Sequence, residues 1–353
     1  MAVTLEKRTT DYAIEFAGCL DLRDIKEELG RQNRIEADYI GFFPQSDQAL
    51  NIFIASFVNP GDETLTVGPT AENICEAIAS CDASYIEFHE RPVFLPDSLG
   101  IISRITERTK LIILGNPNRY TGVVYSEKEI EDIIGNSADT ILILDESVFE
   151  SSRITAIDLV KKYDNLALLR SFNSNKNCRI EYIIADPAIA NKADKARFVV
   201  DCHNSDLSGI LNGLKSQGDR LKRFKSARQE MLYLSIRLRM FGLSCFLNPD
   251  YSLIIGTTDS EKLLSLLNGI GIRGQDLGRF PGLSGNVMLP FSLNIKAMPI
   301  ICVFENMSSD KKFVKPKGHR LTIYRPSESD AKFRVERNQD TVSGNRLESN
   351  MVF

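Results

Sequence analysis

The sequence holds no C-x-x-C pair. Its cysteines, Cys19, Cys75, Cys81, Cys178, Cys202, Cys245 and Cys302, are scattered and odd in number. That is a pattern of buried or idle reduced thiols, not of a disulfide framework. Histidine is scarce: His89, His203 and His319 show no metal-ligand spacing, which argues against a zinc site. No G-x-G-x-x-G or P-loop occurs, so nothing in the chain announces a nucleotide cradle. Apolar runs stop short of a membrane span. The opening stretch MAVTLEKRTTDYAIEF lacks an apolar signal core, so the cytoplasm is the expected compartment. Neither sign of charge dominates. A formal net charge of −4 exerts no general pull toward nucleic acid or anionic membrane. The basic run KKFVKPKGHR (311–320) has few aromatics and reads as a solvated face.

What the chain does have is an ordinary globular composition, 43% hydrophobic and 25% charged over 353 residues. That length exceeds what one core usually supports and predicts two domains. From about residue 36, apolar strand-like runs alternate with helical patterns. ADYIGFF, ETLTV, ASYIEFH, KLIIL, TILIL, LALLRSF and IEYIIAD read as strands. SDQALNIFIASFV (with Ser46 as N-cap), TAENICEAIASC, SLGIISRITER, SEKEIEDIIGNS and ITAIDLVKKY read as helices. Strands apolar on both faces and separated by helices predict a largely parallel sheet covered on both sides, an α/β large domain. After residue 205 comes a long amphipathic helical stretch, broken near Gly218, and then an α+β pattern. The expected plan is an N-terminal segment (1–35), a large domain (36–215), a smaller C-terminal α+β domain (216–335) carrying an inserted excursion at 274–318, and a polar tail (336–353).

In such sheets ligands bind beyond the carboxyl ends of the strands. The polar clusters just after the strands are PQSD (44–47), GNPNRYTG (115–122), DES (145–147) and RSFNSNKNCR (170–179). Their order and spacing resemble the fold-type-I pyridoxal-phosphate enzymes of the class I/II aminotransferase family, nearest to its histidinol-phosphate aminotransferase branch. NPGDETLTVGPT resembles the family's PGDxVLxxxPT, and NPNRYTG resembles NPNNPTG. ILDES resembles xxDEAY, RSFNSNKNCRIEY resembles SFSKxxGLAGLRIGY, and HRLTIYRPSESDAKF resembles the closing LRITIGTPEENxxF. Five segments in the right order, between about residues 36 and 335, imply the aminotransferase fold, a large domain with a mostly parallel sheet plus a smaller α+β domain. They also imply a homodimer.

The resemblance assigns roles. The cofactor would be pyridoxal 5'-phosphate. Its ring nitrogen needs a carboxylate to stay protonated, and Asp145 stands in that place. The phosphate would sit on the helix opened by Ser46 and Asp47, with Ser171 and Arg179 as side-chain ligands. Asn116 and Arg119 fall in the segment that meets the ring. Arg320 matches the arginine that grips the substrate's α-carboxylate. The departures are as specific. Ser174 stands where the cofactor-binding lysine belongs, and serine cannot bond the aldehyde. Lys176 lies two residues later and is the candidate to replace it, catalytically alongside Asp145. Arg119 replaces the asparagine that meets the ring oxygen, and Tyr120 the proline after it. Ala71 replaces the stacking aromatic, Val148 the tyrosine of DEAY, and Gln45 the phosphate-loop glycine, which costs close backbone approach. Two readings follow. One is a pyridoxal-phosphate enzyme acting on an amino acid or amine by transamination or decarboxylation-type chemistry. The other is a binding or structural protein on the same scaffold, with a degenerate site that has lost the covalent link, with or without the cofactor.

Overall fold

A computed structural model describes residues 22–43, 49–70, 72–89, 94–173, 179–196 and 204–308. The expected strands form one seven-stranded sheet. They are β1 (Ile40–Phe43), β2 (Glu63–Gly68), β3 (Ser84–His89), β4 (Thr109–Gly115), β5 (Ile141–Asp145), β6 (Leu166–Asn173) and β7 (Arg179–Ala185), in the order β1-β7-β6-β5-β4-β2-β3. Only β7 runs against its neighbours. Alternate residues of the central strands point to opposite faces. Ile112, Leu114, Leu142, Leu144, Leu166 and Leu168 face one apolar layer. Leu111, Ile113, Ile143, Ala167 and Leu169 face the other. The first layer is closed by α1 (Leu22–Asn33), α5 (Glu127–Gly135) and α8 (Asn204–Lys215), through Ile25, Leu29, Ile130, Ile133 and Leu214. The second is closed by α2 (Ala49–Phe57), α3 (Glu72–Ala79) and α7 (Pro187–Ala196), through Phe53, Ile54, Ile78 and Ile189. Each such side chain taken from water contributes about 1.5–3 kcal/mol, which is why strands apolar on both faces settle only in a covered sheet. α5 starts where its sequence says. Ser126 Oγ accepts from the Glu129 N–H, and the Glu129 carboxylate accepts from the Ser126 N–H at 2.8 Å.

The second unit is a four-stranded antiparallel sheet, β10-β11-β9-β8. Its strands are β8 (Cys245–Leu247), β9 (Leu253–Gly256), β10 (Gln275–Asp276) and β11 (Asn286–Leu289). Against it lie α9 (Gln217–Met240), α10 (Ser260–Gly269) and α11 (Ala297–Ser308).

The structure corrects several details. ITAIDLVKKY makes only a single 3-10 turn at Ile157–Leu159. Its leading backbone is tied elsewhere: the Ala156 N–H donates to Glu146 Oε1 at 2.7 Å, and the Ile157 N–H to Thr155 Oγ1. SLGIISRITER is helical only over α4 (Ser98–Ile102). The break in the long helical stretch falls at Ser216, and Gly218 lies inside α9. The stretch read as an excursion is built into the small unit as far as residue 308. β11 pairs with both β9 and β10. Val287, Leu289, Ile300, Ile301 and Phe304 share one core with Met231, Leu234 and Leu238 of α9. Gly278, Pro281, Gly282 and Gly285 lie between β10 and β11, and Pro299 lies in the first turn of α11. The expected strand HRLTIYR and the helix after it lie outside the described residues.

Candidate functional site

The carboxyl ends of β1, β2, β4, β5 and β6 share one edge of the large sheet. Gly115 pairs with Asp145, Asp145 with Leu169, Ser171 with Glu181, and Asn173 with Arg179. The backbone positions of Asp145, Ser171 and Arg179 are thereby brought together on neighbouring strands. Asp145 is half-buried, and its Oδ1 accepts from the Ser147 N–H at 2.8 Å. Ser171 is buried, and its Oγ donates to the Ser147 carbonyl at 2.8 Å. Ser46, Asp47, Ser174, Lys176 and Arg320 lie outside the described residues, as does the side chain of Arg179.

Next to this edge is a cavity of about 460 Å³ between the two units. The large unit contributes Arg119, Ser147, Glu150 and Ser171 to its wall, and the small unit contributes Arg223, Asp250, Ser252 and Asn294. Asp145 stands one hydrogen bond behind the wall, through Ser147. Asn116 is not among the residues of this cavity wall. It is fully buried, its Oδ1 accepts from the Tyr125 N–H at 2.9 Å, and its Nδ2 donates to the Tyr125 carbonyl at 3.3 Å. Both amide atoms are committed to closing the loop.

That loop, 115–125, is the joint between the units. Asn118 Oδ1 accepts from the N–H groups of Tyr120 and Thr121. Tyr120, where the family pattern has proline, inserts into a small apolar cluster with Ile254, Leu277, Leu283 and Met288. Its ring centroid is 4.5 Å from that of Phe280. The Arg119 carbonyl accepts from Asn248 Nδ2 at 2.8 Å, and the exposed Arg119 guanidinium reaches Ser147 Oγ at 3.5 Å. Gly122 adopts a left-handed φ of +72°, and a Cβ there would lie 2.7 Å from Asn248 Oδ1. Only glycine allows both the turn and the approach.

Below the cavity wall a second polar system holds the edge. Arg170 and Glu146, both fully buried, pair at 2.8 Å. Arg170 also donates to Asn33 Oδ1 and Thr155 Oγ1 and stacks on Phe149 at 3.7 Å. Burial pushes the Glu146 carboxyl up, against the opposing pull of Arg170 and of the Ala156 N–H. Glu150, at the cavity, pairs with Arg220 of α9 at 3.0 Å, and its carbonyl accepts from Arg228 at 2.9 Å.

Sequence reasoning missed Asp250. It sits in a tight loop in which the Asn248 N–H donates to the Ser252 carbonyl and Tyr251 takes a left-handed φ of +65°. Its Oδ1 accepts from the Ser252 N–H at 2.9 Å and from Ser252 Oγ at 2.6 Å. Burial pushes the carboxyl up, while Ser252 and Arg119 draw it down. The string NPDYS signals a turn, but nothing local says what the turn faces. Glu146 and Arg170 had a visible signal, charges within or at the end of apolar strands.

Comparison with known proteins places this architecture. The model of aminotransferase class I and II matches residues 24–197. A dihydroxyacetone phosphate transaminase from Campylobacter jejuni is 30% identical over 247 residues, covering 65% of this chain and 67% of that one. The chain belongs to the class I and II aminotransferases. A histidinol-phosphate aminotransferase of Haemophilus influenzae is 26% identical over 202 residues, so the match spans about half (53%) of each of the two proteins. Among solved aminotransferases, the histidinol-phosphate aminotransferase of Sinorhizobium meliloti, in complex with pyridoxal-5'-phosphate, superposes with a TM-score of 0.72 at 16% identity, covering 83% of each chain. The aspartate aminotransferase of Thermotoga maritima gives 0.67 at 17%, covering 82% of each. At those identities the likeness is one of fold, the fold-type-I aminotransferase architecture expected from the motifs. No helix among the described residues is long and apolar enough to cross a membrane.

Proposed function

We propose that this aminotransferase-family chain binds pyridoxal 5'-phosphate and acts on the amino group of a small amino acid or amine. One observation carries the reading: Asp145, half-buried at the carboxyl end of β5, has one oxygen anchored by the Ser147 N–H, and Ser147 itself lines the cavity. A carboxylate fixed there suits a protonated ring nitrogen, so the described residues fit the ring end of the cofactor. When bound, the cofactor supplies the electron sink that makes a substrate Cα–H acidic. Asp145 would hold the ring-nitrogen proton. The Arg119 cation, next to Ser147, is available to an oxygen of the ring. Ser171 spends its proton on the Ser147 carbonyl, so it would have to turn that hydroxyl to donate to a phosphate. Ser46, Asp47, Ser174 and Arg179 complete the proposed phosphate end. Lys176 is proposed to carry the cofactor and to move the Cα proton, and Arg320 to hold the substrate carboxylate. A homodimer belongs to the same proposal, and light scattering would test it.

The second reading, a binding protein without the covalent link, is favoured by that spent Ser171 proton together with Ser174 at the lysine position. An absorbance titration separates the two. Adding pyridoxal phosphate is expected to produce a visible band that borohydride removes, with the cofactor then fixed on a peptide containing Lys176. Lys176→Ala is expected to lack the band. A wild-type chain that gives no band sinks the proposal.

A further inference from the structure

The Asp250 carboxylate is the cavity group least accounted for by its surroundings. The residue is only 4% exposed, yet it lines the cavity. Oδ1 is satisfied twice by Ser252. Among the described residues the one other hydrogen bond to the carboxylate comes from Asp250's own N–H, and no ion pair reaches it. The other charges of the cavity are engaged elsewhere. Glu150 pairs with Arg220, Arg223 contacts Asn294 Oδ1 at 3.4 Å, and Arg119 reaches Ser147. Arg119 attracts Asp250 only through space. An ionised carboxylate taken out of water without a cation is costly. A hydroxyl or amide from a ligand would satisfy the lone pair but leave the charge. An ammonium group offsets both, through a charge-assisted hydrogen bond. The loop can hold the carboxylate still while this happens, because Ser252 donates twice to the other oxygen.

We infer that Asp250 is a substrate-recognition residue, and that the cavity takes molecules with a second, distal ammonium group, the class of diamines and diamino acids. The inference rests on reading this cavity as substrate space. It adds that specificity comes from the small unit, by a single buried carboxylate, and not from the arginines of the wall. Lysine would place its ε-ammonium on Asp250 Oδ2. Norleucine, which is lysine's chain without the terminal ammonium, stops one atom short and leaves that oxygen unpaired. Glutamate brings a like charge.

Calorimetric titration of the full chain with L-lysine, L-norleucine and L-glutamate tests this. Lysine is expected to bind about tenfold or more tighter than norleucine, the scale of one hydrogen bond to a charged group. Asp250→Asn, which keeps the size and the acceptor for Ser252, is expected to bring lysine down to the affinity of norleucine and to leave norleucine unchanged. Asp250→Glu should retain part of the lysine preference. Equal binding of lysine and norleucine by the wild type overturns the inference, whether or not any variant folds. Undiminished lysine binding by a folded Asp250→Asn also overturns it. The cofactor titration is read separately. A chain that binds pyridoxal phosphate without preferring lysine loses only the assignment of Asp250. One that prefers lysine through Asp250 but binds no cofactor keeps that assignment and loses the proposed activity.

Discussion

Glu146 and Arg170 meet where no water reaches them, beneath the edge that carries Asp145 and Ser171. Their pairing fixes the ends of β5 and β6 from below. Breaking one member would leave a buried charge, so their place is structural although they adjoin the site. Asp250 differs in having no ion-pair partner among the described residues. Its buried carboxyl is pushed above the ordinary aspartate range in the folded chain. The folded state therefore holds the proton more strongly than the unfolded state. Stability is lost as pH rises from the unfolded pKa through the folded one, and the penalty then stays constant. Asp250→Asn removes it. The variant's melting temperature is expected to exceed the wild type's at neutral pH, and the gain to shrink as pH falls below the ordinary carboxylate range. A difference independent of pH would show that Asp250 carries no such penalty.

At the level of elements, the loop between β4 and α5 does two things with one sequence. Asn116 and Asn118 bond its own backbone into a rigid shape. Arg119 and Gly122 join that shape to the loop before β9, and Tyr120 packs it on Ile254, Leu277 and Met288 of the small unit. The replacement of the family's proline by Tyr120 thus has a packing explanation in this chain: the ring extends the small unit's apolar surface across the joint. Gly122→Ala is expected to cost at least about 1–2 kcal/mol for the left-handed backbone alone. The clash with Asn248 Oδ1 adds to this and should weaken ligand affinity by moving the Asp250 loop. Denaturant unfolding together with the lysine titration would check both. A variant as stable as wild type would mean that the joint can shift without cost. Elements that local patterning decides are the ones the sequence foretold, such as α5 with its Ser126–Glu129 capping box. ITAIDLVKKY departs from its pattern: it closes only the Ile157–Leu159 turn, while Ala156, Leu159 and Val160 still pack into the core beneath the sheet.

For the whole molecule, the cavity wall is drawn from both units across that joint. α9 is the second bridge, with Arg220 on Glu150 and Arg228 on the Glu150 carbonyl. Glu150→Ala would leave the Arg220 guanidinium, 11% exposed, without its carboxylate partner. A loss of about 1–3 kcal/mol is expected, the cost of stranding a buried donor. Thermal or urea unfolding would read it, and an unchanged midpoint would show that α9 is held by its apolar face alone.

The sequence by itself determined the sheet, its covering on both faces and the edge where ligands collect. Those follow from side-chain alternation and from the burial each strand demands, and both are local. It also placed Asp145, Ser171, Arg119 and the family motifs on that edge, because a strand's carboxyl end can be counted along the chain. Only the tertiary structure decided that Asn116 serves its own loop, that residues 275–308 belong to the small sheet and its core, and that Asp250 comes to the cavity wall. The physical reason is shared. Each depends on which group from far along the chain satisfies a buried donor, acceptor or apolar face, and no local pattern encodes that partner.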